Sequence, residues 1–241
     1  MKSSNPMTLF YRVGATSLAA LPLVLIVSFI LHFFGEFTPS DFLVLRLRYQ
    51  QPPAERFMEL FQSEDIVAFV LPHLLIYLAL PLMIPAAAYL AALLLGKHPR
   101  LAIAGVTLTS FGVVFMGGVF GSWLSFTAVG NVADVEIATS VSALRTLISN
   151  NSMLTMTSML AAPSMIGVLV LTAGLFSSRI LPRHEAALIF AGTLLIVVFM
   201  DIDNLMLVGS VLFFAGAFPS FRRQMAAEPG PGPFCPRSRP V

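Results

Sequence analysis

Six apolar stretches, each near the length at which a helix crosses a lipid bilayer, constrain this 241-residue chain more than any other feature. They cover residues 13–34, 66–95, 101–129, 154–176, 186–200 and 205–221. Only 11% of the residues are charged, against about 25% in a typical soluble domain, so water would not keep such a chain dissolved. The sequence therefore predicts an all-α fold, a polytopic transmembrane helix bundle.

The last two stretches are short, and they form either two true crossings or one re-entrant hairpin. At about 1.5 Å per residue they rise only roughly 22–26 Å, whereas the hydrocarbon core is about 30 Å thick. With the N-terminus inside, ten of the fourteen Lys and Arg residues fall on the cytoplasmic side, and the outer turn at 201–204 has none. Because basic residues favour cytoplasmic loops, we expect six spans with both termini in the cytoplasm.

This topology divides the chain into three parts. Residues 1–12 form a cytoplasmic N-terminus, and residues 13–221 form the six-span domain with outer loops at 35–65 and 130–153. These loops form either a packed cap or a lid over an outward-facing cavity. Residues 222–241 form a cytoplasmic tail that we expect to be disordered, because five prolines between Pro229 and Pro240 prevent a helix.

The six spans contain no Asp, Glu, Lys or Arg. Charges inside the bilayer mark proton relays and ion paths, so their absence argues against a proton pump, a voltage sensor or a cation-coupled carrier. The sequence also lacks the motifs of zinc peptidases, serine hydrolases and P-loop proteins. We predict no catalytic set, no metal and no cofactor. The net charge of +2 is too small to indicate a nucleic-acid partner.

Two histidines lie within predicted spans. His32 is near the outer end of the first span, and His73 is about two turns below the outer end of the second. Each either hydrogen-bonds a neighbouring helix, or the two share a bound haem or metal. Their estimated depths differ by roughly 5 Å, which weakens the haem interpretation.

The second span also carries Pro72, Pro81 and Pro85. Each proline removes a backbone donor and clashes with the preceding turn, so we expect this helix to bend. Near Pro72 this leaves carbonyl groups without a helical partner. The prolines therefore indicate either simple bending or a ligand-binding cavity beside the bend, where these carbonyls accept hydrogen bonds.

Small residues recur in the third span at Gly105, Gly117, Gly121 and Ser125. This small-xxx-small pattern allows two helix backbones to approach closely. It places the third span at the centre of the bundle, and a homodimer seam is the alternative.

The turn between the last two spans contains Asp201, Asp203 and Asn204. Two carboxylates and an amide are suitable ligands for a hard cation. The plainer interpretation is that Asp203 or Asn204 caps the sixth span, whose N-terminal dipole favours acidic groups.

Segment 178–183 reads SRILPR and is predicted to be the inner loop between the fourth and fifth spans. A short S-R-x-x-P-R loop followed by a Gly-containing apolar span and a final short span resembles a large family of bacterial six-helix integral membrane proteins. The three prolines of the second span depart from that family. The family has no established activity, so the resemblance implies only location in a bacterial cytoplasmic membrane.

Three hypotheses for function follow. The first is a binding or accessory membrane protein that contacts lipid, a membrane-protein partner or a second copy of itself. The second is a transporter of an apolar or neutral small molecule, with the bent second span as its gate. The third is a haem or metal redox protein that uses His32 and His73.

Overall fold

The structure is a computed structural model that describes residues 6–32, 66–130, 152–199 and 203–226, with the single helical residues 139, 142 and 146. Within these ranges the chain forms seven α-helices and one 3₁₀ turn, and it contains no strand. In chain order the α-helices are α1 (Pro6–His32), α2 (Ile66–Ala79), α3 (Met83–Leu94), α4 (Pro99–Gly130), α5 (Ser152–Ser178), α6 (Arg183–Val198) and α7 (Asp203–Ala226). The predicted all-α class is therefore confirmed for the described residues.

Five stretches of this structure are long and apolar enough to cross a membrane, which indicates a multi-pass membrane protein. They are Pro6–Leu31, Val70–Leu94, Pro99–Ser122, Met156–Ser178 and Leu205–Ala226. The helix α6, which corresponds to the predicted fifth span, is not among them. It has 16 residues and rises only about 24 Å. Length and composition thus support five of the six predicted spans.

The helices follow one another around a closed ring. α1 contacts α2 and α3, which contact α4, and the ring continues through α5, α6 and α7 back to α1. α3 also contacts α5. The second half of the second span, α3, therefore packs against three helices, α1, α4 and α5, and lies closer to the centre of the bundle than α2 does.

The second span is broken at its middle. α2 ends at Ala79, a 3₁₀ turn follows at Leu80–Leu82 with Pro81 in its first positions, and α3 begins at Met83. The amide of Met83 bonds back to the carbonyl groups of Leu80 and Pro81, which partly replaces the α-helical bonds lost there. The interruption falls at one of the three prolines that predict bending.

The largest apolar core lies at the level of α3. Leu94, Leu171, Leu175 and Ile189 have no exposed surface, and Tyr11 of α1 belongs to the same cluster. The start of α1 and the end of α3 therefore meet the end of α5 and the start of α6. We call this end of the bundle the basic end, since the connections there carry Lys97, Arg100, Arg179 and Arg183.

A smaller core lies towards the opposite end of the bundle. Phe29, near the end of α1, packs with Leu207, near the start of α7. Because α7 also reaches the core cluster that contains Tyr11, the helices α1 and α7 lie side by side along most of their lengths. α7 therefore extends as deeply through the bundle as α1 does.

Most of the predicted loops and tail lie outside the described residues. This holds for 35–65, for most of 130–153 and for 227–241. Residues 222–226 differ from the prediction of a disordered tail, because they continue α7 as a helix. The first proline that would stop this helix is Pro229, beyond its end.

Candidate functional site

A bidentate ion pair joins α6 to α7 at the basic end. Arg223 donates from its two terminal nitrogens to the two carboxylate oxygens of Glu185, at 2.7 and 2.5 Å. The side chain of Glu185 is only 4% exposed, whereas that of Arg223 is 51% exposed. Glu185 lies in the first turn of α6, where the helix dipole also favours a negative charge. The carboxylate is therefore stabilised by its own helix and by a neighbouring one.

A buried hydroxyl pair lies one turn away from the ion pair. The hydroxyl of Tyr89 on α3 is 3.1 Å from the hydroxyl of Ser220 on α7, and Ser220 precedes Arg223 by three residues. The ring of Tyr11 on α1 packs edge-on against that of Tyr89, with 6.1 Å between centroids. We call Tyr11, Tyr89, Glu185, Ser220 and Arg223 the polar cluster. It joins four helices, α1, α3, α6 and α7.

Close backbone contact between α6 and α7 positions the ion pair. A Cβ atom built on Gly216 would lie 2.6 Å from the carbonyl oxygen of Glu185, and one built on Gly192 would lie 2.5 Å from the amide nitrogen of Phe213. Only glycine fits at such separations. The two helices therefore approach closely enough for Arg223 to reach the first turn of α6.

The connections at the basic end are also linked to one another. Lys97, in the turn after α3, donates to the carbonyl oxygen of Ser178 at 2.8 Å. Ser178 is the last residue of α5, so a cation meets the unpaired carbonyls and negative dipole of a helix C-terminus. Arg179 then takes a left-handed conformation, with φ of 56°, which ends the helix.

The segment SRILPR has a structural role at nearly every position. Ile180 and Leu181 pack against the large core. Pro182 has an extended backbone, and its carbonyl accepts the first helical bond of α6, from the amide of Ala186 at 3.1 Å. The loop is thus a compact link that ends one helix and begins the next.

The polar cluster is suited to holding helices together. The buried carboxylate of Glu185 is paired with Arg223, and the buried hydroxyls of Tyr89 and Ser220 are paired with each other, so these buried polar groups have partners. Among the residues that the structure describes, no three His, Cys, Asp or Glu side chains lie close enough to hold a metal ion.

The predicted histidine candidates lie on neighbouring helices. His32 is the last residue of α1, where the structure describes its backbone only, and His73 is half-buried on α2. The ring of His73 lies 6.4 Å from that of Phe120 on α4. Pro72 is fully buried. A ligand at His32, His73 and Pro72 stays a prediction, which visible absorption and metal analysis of the purified protein would test.

The acidic turn is only partly described. Asp201 lies outside the described residues. Asp203 and Asn204 are the first two residues of α7, and the structure describes their backbone only. Both the cap and the cation interpretation of Asp201, Asp203 and Asn204 therefore stay predictions.

The small-residue positions of α4 separate into two groups. A Cβ built on Gly105 would lie 2.5 Å from Cγ of Leu171 on α5, so this glycine lies at a close helix contact. Among the described residues, no atom comes within 4 Å of a Cβ built on Gly117 or Gly121. The side chain of Ser125 lies outside the description. In this part of the chain, close contact with α5 is therefore found at Gly105 and not at Gly117 or Gly121.

Sequence reasoning missed two glycines that bring α4 and α5 together. A Cβ on Gly112 would collide with the backbone nitrogen of Ser164, and one on Gly167 would lie 2.5 Å from the amide nitrogen of Thr109. Gly167 lies on α5, so it does not belong to the series of small residues at every fourth position of α4. Gly112 breaks the spacing that singles out the other positions.

The polar cluster was also missed, although one signal for it exists. Glu185 is one of only two acidic residues predicted on the cytoplasmic side, and it directly precedes a span. A buried carboxylate needs a partner, which would have drawn attention to the nearby arginines. The choice among Arg179, Arg183, Arg222 and Arg223 requires the helix rotations, which sequence does not contain.

No protein-family model, no curated protein and no solved structure matches this chain.

Proposed function

We propose that this chain is a six-crossing protein of a bacterial cytoplasmic membrane, with both termini in the cytoplasm. Support for the sixth crossing comes from the pairing of α6 with α7. The contacts of α6 begin with Glu185 at Gly216 and Arg223, and they continue to Leu195 and Ile196 at Gly209. A helix that lies along a spanning neighbour for this length crosses with it, and modest thinning of the bilayer accommodates its short apolar segment.

The cytoplasmic orientation rests on charge. The cations of the basic end belong to loops that the positive-inside rule assigns to the cytoplasm. The bacterial location rests on the resemblance of the loop SRILPR and the hydropathy outline to the bacterial six-helix family.

Single-cysteine labelling tests this topology. The natural Cys235 is first replaced by serine, and cysteines are introduced as Gly96→Cys, Ile202→Cys and Arg222→Cys. In spheroplasts treated with a membrane-impermeant maleimide, we expect labelling at position 202 only, with positions 96 and 222 labelled after lysis. Labelling of position 202 only after lysis would favour a re-entrant hairpin and contradict the proposal.

We further propose that the protein acts as a binding or accessory subunit in the membrane. The observation that carries this proposal is the dense packing of the basic end. Leu94, Leu171, Leu175 and Ile189 are fully buried there, and the polar cluster joins α1, α3, α6 and α7 over the same level. A bundle closed in this way at one end favours a stable platform over a path for solutes.

Co-purification in a mild detergent tests the binding role. Native mass spectrometry of the purified protein is expected to show a retained lipid, a stoichiometric partner protein or a second copy of the chain. A bare monomer at every detergent concentration would contradict the proposal.

A transporter is the second candidate, favoured by the broken second span. Discontinuous helices form the substrate sites and gates of many transporters, and the 3₁₀ turn at Leu80–Leu82 is such a break. Cysteines at the inward-facing positions Leu80, Met83 and Ala87 test this idea. Inaccessibility of all three to small maleimides from both sides of the membrane would exclude it.

A further inference from the structure

A shallow groove of about 540 Å³ lies along α4 near the basic end. It is lined by Arg100, Ile103, Ala104, Thr107 and Leu108, which recur at helical spacing and so lie on one face. The side chain of Ile103 is 60% exposed, and Val114, farther along the same side, is 69% exposed. Large apolar side chains with this exposure face lipid in a membrane helix, so the groove opens towards the bilayer.

The groove is polar at one end only. Arg100 is the second residue of α4, and Leu108 lies about 12 Å deeper along the helix axis. The cation therefore lies at the level of lipid headgroups, while Ile103, Ala104 and Leu108 lie at the level of acyl chains. Ala104 is the smallest side chain in the lining, and it supplies the hollow between its larger neighbours.

Arg100 lacks a carboxylate partner among the residues that the structure describes. Among the described residues, the carboxylate that lies at the basic end is that of Glu185, and Arg223 binds both of its oxygens. The exposed guanidinium of Arg100 is therefore free of competition from described carboxylates for an anion from outside the chain. In a bilayer, an anionic phosphate diester supplies this counter-charge with an acyl chain attached.

We propose that this groove binds one anionic glycerophospholipid, with its phosphate on Arg100 and one acyl chain over Ala104. The proposal rests on the membrane location given above, and it does not depend on which side of the membrane the basic end faces. Charge complementarity selects an anionic over a zwitterionic headgroup, and the apolar lining beside Arg100 selects a lipid over a soluble anion.

The test is native mass spectrometry of the full-length protein released from nanodiscs containing phosphatidylglycerol and phosphatidylcholine. Two variants address the two halves of the site: Arg100→Gln removes the charge, and Ala104→Phe fills the hollow. The matched controls are Arg222→Gln, an exposed cation at the same end, and Val114→Phe, a bilayer-facing position outside the groove. Melting temperature in detergent is measured for all four variants, so that unfolding is recognised separately from lipid loss.

We expect the wild-type protein to retain one phosphatidylglycerol in preference to phosphatidylcholine. Arg100→Gln should reduce that retention about fivefold, as expected for loss of one cation near an anionic headgroup. Ala104→Phe should also reduce it, because the larger ring occupies the place of the acyl chain, and neither variant should change the melting temperature. Both control variants should retain lipid as the wild type does.

Three results would overturn the proposal. Equal retention by the wild type and by both site variants means that the groove holds no lipid. An equal loss in Arg222→Gln means that the retained lipid reflects the charge of the whole end and no particular site. Conversion of a dimer into a monomer by Ala104→Phe, at constant lipid content, means that the groove is a contact between copies. These results leave the topology experiment unaffected, so the two proposals fail separately.

Discussion

Arg223 binds both carboxylate oxygens of Glu185, and this pair joins the first turn of α6 to the last turns of α7. The two partners differ greatly in exposure: the carboxylate is buried, while half of the arginine side chain remains accessible. Removing either partner therefore has a different consequence, because only one of the two charges would be left buried.

We predict that Arg223→Gln destabilises the protein more than Glu185→Gln does. The first substitution leaves a buried carboxylate without its cation and should cost about 2–3 kcal/mol, while the second leaves an arginine that can turn into solvent and should cost about 1 kcal/mol. Unfolding by SDS in mixed micelles measures both. Arg222→Gln, an exposed neighbour, is the control and should change stability by less than about 0.5 kcal/mol. Equal losses at positions 185 and 223 would contradict this account.

Glycine contacts between α4 and α5 give a second prediction. Gly167→Ala should destabilise the protein by about 1–3 kcal/mol, because its Cβ would lie 2.5 Å from the amide nitrogen of Thr109. Gly117→Ala is the matched change, and it should be neutral or stabilising by up to about 1 kcal/mol, since alanine favours helix more than glycine does. Thermal unfolding in detergent distinguishes the two. A large loss at position 117 would show that residues beyond the described ranges pack against it.

The hydroxyl pair of Tyr89 and Ser220 gives a third prediction. Tyr89→Phe should cost about 1 kcal/mol, the usual net contribution of one buried hydrogen bond, and Ser220→Ala should cost a similar amount. If the two hydroxyls bond to each other, the double variant should cost less than the sum of the single variants. Tyr77→Phe, at an exposed position on α2, should leave the unfolding curve unchanged. Strict additivity of the single variants would mean that the two hydroxyls act independently.

The end of α5 gives a fourth prediction. Arg179 has a positive φ of 56°, which glycine adopts without the steric cost that a Cβ atom brings. Arg179→Gly should therefore stabilise the protein by about 0.5–1 kcal/mol. Arg179→Ala removes the same charge but keeps a Cβ atom at the positive φ, so it should not give this stabilisation. Thermal unfolding in detergent should show a higher melting temperature for Arg179→Gly than for Arg179→Ala, and equal melting temperatures would contradict the role assigned to Arg179.

The bend in the second span shows which structural features are readable from sequence. Proline acts on its own backbone and on the preceding turn, so Pro81 indicates an interruption without knowledge of any neighbour. The 3₁₀ turn at Leu80–Leu82 lies where this local effect is expected. The loop SRILPR after α5 is likewise predicted from residues that are adjacent in the sequence.

The contact between α4 and α5 shows which features are not readable. The spacing of small residues suggests equally that Gly105, Gly117 and Gly121 pack closely, yet only Gly105 does so among the described residues. A membrane helix is apolar on every side, so its hydrophobic pattern does not reveal which face meets protein and which meets lipid. Small residues allow close approach, but the partner helix determines where that approach occurs.

The sequence by itself determined the all-α class, the positions of most spanning helices, the break in the second span and the clustering of basic residues in alternate connections. These features follow from the transfer energy and backbone preference of each residue, which add along the chain. Only the tertiary structure decided that Glu185 pairs with Arg223, that Tyr89 meets Ser220 and that Gly167 seats α4 on α5. Such contacts join residues far apart in sequence and depend on the rotation of each helix about its axis. Lipid does not dictate that rotation, because it is as apolar as the side chains it surrounds.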